Sequence, residues 1–309
     1  MTIQARATTT HDTKPPRRKG RNAPPRPRQR LPGSRWGAVM EDRPLGGRGR
    51  AVRRLASVVL WTLLCIPVQA VLLPLPGRAK ARFPKVYWRG MCWLIGLRLQ
   101  LVGKSAGPSG TLYVSNHSSW LDILVLGGLL ETRFVSKADV ASWPGIGLVA
   151  KLGRSLFVSR SRTGTGRESN EIATSLKAGD SVMLFPEGTT SDGTRVLPFR
   201  SSFLSVAGDA RQVQPTTVVY DRMGGLPACR RDRPVFAWYG DMETLSHAWF
   251  LLRHTGTRAT VVLHEPFTPD SLPNRKVMAS EIGRIVSISA AQLRQNRPVE
   301  PLAAPARRG

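Results

Sequence analysis

Acidic residues are scarce in this chain: 20 Asp and Glu stand against 46 Lys and Arg in 309 residues, a formal net charge of +26. That imbalance calls for an acidic partner, whether nucleic acid, an anionic membrane or a phosphorylated substrate. Cysteine is scarcer still. Cys65, Cys92 and Cys229 are odd in number and widely spaced, which excludes a disulfide framework, and no metal-ligand spacing joins them. Cys65 and Cys92 lie in apolar stretches, as packing residues do, and this usage fits a reducing compartment. Aromatic residues make up only 7% of the chain, so stacking on many bases is not a theme of the sequence.

The charge is unevenly spread. Residues 1–54 hold 15 Lys and Arg against 3 acids, together with seven prolines. A stretch such as KPPRRKGRNAPPRPRQR cannot bury enough apolar surface to offset the entropy of ordering it, and reads as a disordered basic tail. Trp36 is the tail's one aromatic residue, so a nucleic-acid-binding membrane protein, the reading from a different functional class, lacks its stacking platform. An uncharged run, LASVVLWTLLCIPVQAVLLPLPG, then covers residues 55–77. At ~1.5 Å per residue it is long enough to cross roughly 30 Å of hydrocarbon, although Pro67, Gln69 and Pro74 interrupt it. It begins too deep in the chain for a cleavable signal peptide. A second stretch, VYWRGMCWLIGLRLQLVG, mixes Trp88 and Trp93 with Arg89 and Arg98, a mixture suited to a membrane–water interface. Residues 55–103 are therefore read as a membrane-associated helical segment. A spanning helix, a hairpin entering one leaflet and a buried core hairpin all fit the pattern. The basic tail puts the N-terminus at the cytoplasmic face of the inner (plasma) membrane, beside an anionic surface.

From residue 104 to 297 short β-rich runs alternate with helical patterns. TLYVSN, RFVSK, SLFVSR, DSVMLF, PTTVVY, VFAWYG and ATVVLHEPF read as strands. SWLDILVLGGLL, GIGLVAKLG, ESNEIATSLKAG, SSFLSVAGDA and RKVMASEIGRIVSISAAQLRQ read as helices. The alternation predicts an α/β domain: layered, with a largely parallel sheet flanked by helices, preceded by the N-terminal membrane helix or helical hairpin. Residues 298–309 read as a flexible tail. Ligands of such sheets gather at the loops beyond the strand ends.

Three of those loops carry candidate chemistry. In SNHSSWLD, His117 ends a strand and Asp122 follows five residues later. Within one helix that spacing would hold them about 140° apart. With Ser118 or Ser119 capping a helix that starts near Trp120, Asp122 falls in the first turn and its carboxylate reaches back to His117. Such a pair is a general-base unit, in which the carboxylate sets the tautomer and stabilises the imidazolium. No serine or cysteine nucleophile accompanies it, so the base acts on a substrate hydroxyl directly. The spacing alone is common by chance, and a capped helix beside a surface histidine is the competing account. FPEGTTSDGTRVLPFR forms a glycine-containing turn with Arg195 and Arg200 beyond it, suited to an anion or a polar headgroup, or simply an acidic turn. In GRSLFVSR, Arg160 follows a strand, able to pair with phosphate or merely solvated.

The order of these blocks resembles the 1-acylglycerol-3-phosphate acyltransferase family of glycerolipid acyltransferases. Its NHx4D block corresponds to Asn116, His117 and Asp122; its second block to Gly153, Phe157 and Arg160; its FPEG block to Phe185, Pro186, Glu187 and Gly188; its last to Pro215. The resemblance implies that His117 deprotonates the acceptor hydroxyl and Asp122 orients it. It implies that Arg160, Glu187, Gly188 and Thr189, with Arg195 as a substitute for a missing arginine, hold the headgroup. Lys137 matches a basic position that could stabilise the thioester oxyanion or the donor phosphates. The implied partners are a lysolipid acceptor and acyl-CoA or acyl-carrier protein as donor, with no metal or other cofactor. The implied acceptor is 1-acyl-sn-glycerol-3-phosphate. Two departures, Thr190 in place of arginine after Thr189 and Ser159 in place of aspartate before Arg160, favour an alternative. FPEGTTSDGTRVLPFRSSF and FAWYGDM are similar to the bacterial branch that acylates lyso-ornithine lipid, whose headgroup has no phosphate.

A variant lacking residues 1–46 is expected to bind anionic vesicles more weakly and to lose most of the salt dependence of that binding, while keeping turnover in detergent. Co-sedimentation across a salt titration measures this; an unchanged salt slope refutes the electrostatic attachment.

Overall fold

The computed structural model describes residues 47–107, 109–158 and 165–305. Nearly all of the predicted basic tail therefore lies outside the described residues. The uncharged run forms one helix, α1 (Arg48–Leu72), with Pro67 inside it. By length and composition it could cross a membrane, and only 11% of its most apolar window is buried. Leu60, Leu63 and Val71 are more than half exposed. Both of its ends are nonetheless tied to the body. Near the N-terminal end, the buried Arg54 guanidinium donates to the carbonyls of Leu252 and His254. Near the C-terminal end, the Gln69 amide donates to the carbonyls of Leu152, at 2.8 Å, and Lys80, at 3.0 Å.

The second apolar stretch divides in two. Residues Ala79–Ile95 form α2, which Gly96 ends in the left-handed conformation (φ 78°). Leu97–Val102 then becomes an edge strand, β1, so the expected helical segment over 55–103 stops at Ile95. β1 takes its place because alternate residues find both a core and a partner strand. α2 packs on α3 (Leu121–Leu129) through two glycines. A Cβ at Gly127 would sit 2.5 Å from the Trp88 ring, and one at Gly128 would sit 3.1 Å from the Arg89 backbone nitrogen. Glycine is what permits this close approach.

The sheet has the order β1-β8-β6-β2-β5-β3-β4, with a short β7 (Leu226–Pro227) beside β6. Its other strands are β2 (Thr111–Ser115), β3 (Arg133–Lys137), β4 (Leu156–Val158), β5 (Val182–Leu184), β6 (Gln212–Met223) and β8 (Thr257–Leu263). The pairs β1–β8, β2–β5, β2–β6, β3–β4 and β3–β5 are parallel. The antiparallel contacts are β6–β7 and β6–β8. The expected α/β layering with a largely parallel sheet is what forms, and the helix expected over GIGLVAKLG is α4 (Ile146–Leu152). One face buries Leu112, Val114, Val182 and Leu184 against α5 (Thr165–Lys177), a 3-10 helix (Ser201–Asp209) and α8 (Arg275–Arg294). The register decides where the site lies. β2 ends at Ser115, opposite Thr216 of β6, while β6 runs on to Met223. The chain leaving β2 therefore lies alongside a stretch of β6 that β8 pairs along its far edge and that is unpaired on the near edge.

Several local expectations change. VFAWYG is not a strand. Arg233–Phe236 form a short helix, α6, with Pro234 in its first turn, where a missing N–H costs nothing. SSFLSVAGDA folds as the 3-10 helix rather than an α-helix. Thr244–Leu252 form α7, a helix that no sequence signal announced. The C-terminal segment from residue 298 is docked rather than free as far as residue 305. Leu302 donates its N–H to His264 Nδ1 (3.0 Å) and accepts from the Glu265 N–H (3.1 Å), and Ala304 packs on the core.

Because His264 Nδ1 accepts the Leu302 N–H, its proton sits on Nε2, within 3.0 Å of Thr217 Oγ1. A second proton would put one N–H against another. Burial accordingly holds its pKa down at about 4. A histidine held below its unfolded value contributes stability that is complete above about pH 6.5 and is lost as pH falls toward 4. Lowering pH from 7.5 to 5 is therefore expected to reduce the melting temperature, and the His264→Gln variant should lose less over the same interval. The protection factor of the Leu302 amide, taken against its intrinsic exchange rate at each pH, should fall with acid in the parent chain; protection that does not change with pH refutes the His264 latch.

Candidate active site

β2 delivers the chain into residues 116–120, and hydrogen bonds from several directions hold that loop. Asn116 continues the sheet by proxy: its amide donates to the Val218 carbonyl and accepts from the Val218 N–H, each at 2.9 Å. Val218 lies on this unpaired edge of β6, so one side chain replaces a missing strand residue. The His117 N–H donates to Glu187 Oε1 (2.7 Å), and the His117 carbonyl accepts from the Ser191 N–H (2.9 Å). The Ser118 carbonyl accepts from the Trp238 N–H (2.8 Å).

Asp122 lies in the first turn of α3 and is fully buried. Its Oδ2 is 2.8 Å from His117 Nδ1 and accepts the N–H groups of Ser118 (2.7 Å) and Ser119 (3.0 Å). The expected serine cap is present, since Ser119 Oγ accepts the N–H of Leu121, the first residue of α3 (3.3 Å); the aspartate gathers the serine backbone N–H groups as well. A carboxylate three residues on can satisfy such orphan donors and still reach the imidazole. Since Oδ2 can only accept, Nδ1 carries the proton and Nε2 keeps its lone pair. The imidazole stacks on Phe185, with ring centroids 4.1 Å apart and planes 17° apart. It remains partly open, its side chain 19% exposed. A base with a free nitrogen, fixed in rotation by a stack and a carboxylate, can take a proton from a bound hydroxyl.

Tyr220 is the functional residue that the sequence did not reveal. Its hydroxyl donates to Asp122 Oδ1 at 2.6 Å, and its ring stacks on Phe236, 5.1 Å away. Burial and the Asp122 carboxylate push its pKa well above the ordinary value, so it stays a donor. The link runs from β6 to α3 across 98 residues. The only trace in the sequence is that Tyr220 follows the Pro215 block at the end of a β-rich run.

The FPEG turn serves the loop more than the solvent. Glu187 is 2% exposed, and its second oxygen accepts the Leu197 N–H (3.0 Å). With both oxygens committed, Glu187 braces His117 instead of offering itself to a headgroup, which corrects the expectation of direct contact. Burial pushes its pKa up to about 7, while the two backbone donors pull the other way. Gly188 closes the turn through its N–H to the Phe185 carbonyl (3.1 Å) at φ +70°, a conformation that glycine alone adopts without strain. Thr189 is exposed at the rim. Arg195 lines a cleft beside Asn116 and Ser118. Lys137 is exposed at the end of β3. By strand alternation it shares the face of Val135, which packs on the core, and not that of Phe134, which stacks over Phe185. The structure thus does not bring Lys137 to His117. Arg160 and Ser159 lie outside the described residues.

A Gly-x-Ser-x-Gly stretch does occur, at residues 103–107. Ser105 Oγ is bonded to the Tyr113 hydroxyl (2.7 Å), in the connection that precedes β2, at the opposite end of that strand from His117. Its other contact is the Gly107 N–H, which it accepts (3.1 Å), so among the described residues it has no base for a partner. Among the described residues no group of three His, Cys, Asp or Glu side chains is placed to hold a metal ion.

His117→Ala is expected to lower kcat by roughly 100- to 10,000-fold, the usual worth of a general base. Tyr220→Phe removes one hydrogen bond to a charged group and should lower kcat about tenfold with little change in KM. Steady-state kinetics of the two variants measure both effects; an unaltered kcat in Tyr220→Phe would remove that residue from the dyad.

Comparison with known proteins bears on this geometry. The family model described as Acyltransferase matches residues 98–221. The chain is 38% identical over 234 residues to the lyso-ornithine lipid O-acyltransferase of Brucella abortus, covering 73% of this chain and 88% of that one. It is 31% identical to a 1-acyl-sn-glycerol-3-phosphate acyltransferase of Neisseria gonorrhoeae, over 50% of this chain and 67% of that one. Among solved structures, the 1-acyl-sn-glycerophosphate acyltransferase PlsC from Thermotoga maritima shares the fold, with a TM-score of 0.52 over 80% of this chain and all of that one at 18% identity.

Proposed function

Because this chain belongs to the acyltransferase family, we propose that it moves a fatty acyl group from a thioester donor, acyl-carrier protein or acyl-CoA, onto the hydroxyl of lyso-ornithine lipid. His117 Nε2 takes the hydroxyl proton as the oxygen attacks the thioester carbonyl. The new C–O ester bond forms, the C–S bond breaks, and the imidazolium returns its proton to the departing thiolate. Asp122 stabilises the imidazolium meanwhile. The dyad engages no serine or cysteine side chain as a nucleophile, so transfer is direct. The observation that carries the chemistry is the imidazole fixed through Nδ1 with Nε2 left bare.

The choice of acceptor rests on the extent of likeness. The lyso-ornithine lipid enzyme is matched over nearly its whole length, the phosphate-acceptor enzyme over two thirds of it and at lower identity. Thr190, standing where an arginine was expected, agrees with a headgroup that lacks phosphate. The acceptor and the acyl chains are lipids, and α1 offers an apolar face while its two ends stay fastened to the body. A helix so fastened lies along the domain, so we place it on one leaflet, at the cytoplasmic face, rather than across the bilayer.

Purified protein given labelled donor and both lysolipids in parallel should yield acylated ornithine lipid with a kcat/KM at least about tenfold above that for 1-acylglycerol-3-phosphate. Mass spectrometry of the products decides; preferential formation of phosphatidic acid overturns the acceptor.

A further inference from the structure

Beyond the end of β2, the unpaired edge of β6 borders a cleft walled by Asn116, Ser118, Ser191 and Tyr220. Three arginines line it from three separate elements: Arg195 from the loop after the FPEG turn, Arg233 from the first residue of α6 and Arg294 from the last residue of α8. They are far apart in sequence and converge only in the fold. Among the described residues, no carboxylate lies within ion-pair distance of any of the three. The nearby acids have their hydrogen bonds elsewhere, and Asp192 and Glu187 offset only part of the burial and repulsion on Arg294 through space. Asp221 accepts from Arg258 and Thr260. Glu187 accepts from two backbone N–H groups. Asp192 Oδ1 accepts from the N–H and hydroxyl of Thr194.

Like charges gathered in a half-buried cleft repel each other. Burial, and then the neighbouring Arg233, hold the Arg294 pKa below its ordinary value. The C-terminal end of α8 suits a cation there through the helix dipole. That accounts for Arg294 alone, not for the convergence of Arg195 and Arg233 upon it. An arriving anion would relieve the repulsion, and guanidinium forks are shaped to grip carboxylate or phosphate oxygens in pairs. The cleft wall includes Tyr220, whose hydroxyl bonds the same Asp122 carboxylate as His117, so the cleft adjoins the dyad and an anion held here lies within a headgroup's reach of the base.

We propose that Arg195, Arg233 and Arg294 form an anion receptor that fixes the acceptor headgroup beside His117, the natural anion being the carboxylate of an amino-acid headgroup. This assignment of the anion rests on the acceptor proposed above; a phosphate monoester shares the same chemistry. The receptor takes over the task of the arginine that Thr190 displaces, joining Arg195 of the FPEG loop to Arg233 and Arg294, which no block of the sequence pointed to.

The test uses the full chain and lyso-ornithine lipid alongside its carboxamide analogue, in which the carboxylate charge is removed. The parent should prefer the carboxylate by roughly 10- to 100-fold in kcat/KM, and Arg233→Ala or Arg294→Ala should each cut that preference about tenfold with the donor KM unchanged. The preference is a ratio within one variant, so partial loss of folded protein does not mimic the effect, and Arg294→Lys should retain an intermediate ratio. A parent that acylates lyso-ornithine lipid with the same preference in every variant overturns the receptor and leaves the acceptor standing. A change in donor KM in place of the preference assigns the arginines to donor phosphates, and likewise overturns it. If the parent acylates only 1-acylglycerol-3-phosphate, and the variants lose that activity, the receptor stands as a phosphate site while the acceptor reading fails.

Discussion

The buried Asp122 carboxylate is the interaction on which the site depends. Four hydrogen bonds converge on it, from His117, two backbone N–H groups and the Tyr220 hydroxyl. A buried charge without such partners would cost several kcal/mol. With them it becomes a fixed point that joins the loop after β2, the start of α3 and the far end of β6. The imidazole cannot rotate away without leaving that charge one donor short. Its ring is held on the other side by Phe185, so both orientation and tautomer are set before a substrate arrives.

The rest of the fold holds these three elements in register. β6 outruns β2, and the exposed edge this leaves is taken up by Asn116, which ties the catalytic loop to Val218. The same overrun opens the cleft where the three arginines meet. On the other side, glycines at 127 and 128 let α2 approach α3 closely, so the helix that carries Asp122 supports α2, and α1 with its exposed apolar face packs on α2 in turn. The base is thereby kept near the surface from which a lipid acceptor would enter.

Much of this was legible in the chain. Strand–helix alternation gave the layered α/β domain, the uncharged run gave α1, and His117 with Asp122 gave the dyad, because each is a local pattern read over a few residues. The misreadings share a cause. VFAWYG has the composition of a strand, but Pro234 opens a helical turn there and Arg233–Phe236 wind as α6 instead. Lys137 was drawn into the site by resemblance, yet the two-residue alternation of β3 turns it to the other face. Glu187 too was assigned to the headgroup by resemblance; here its two oxygens accept from backbone donors of two separate loops.

By itself, the sequence determined which residues could do chemistry and in what order the elements come, since charge, periodicity and block spacing are properties of neighbours. The tertiary structure alone decided which distant groups complete the site. Tyr220 meets Asp122 across 98 residues, and Arg195, Arg233 and Arg294 share one cleft. Such meetings depend on how far β6 extends past β2 and where α8 ends against it, distances set by packing that no local pattern encodes.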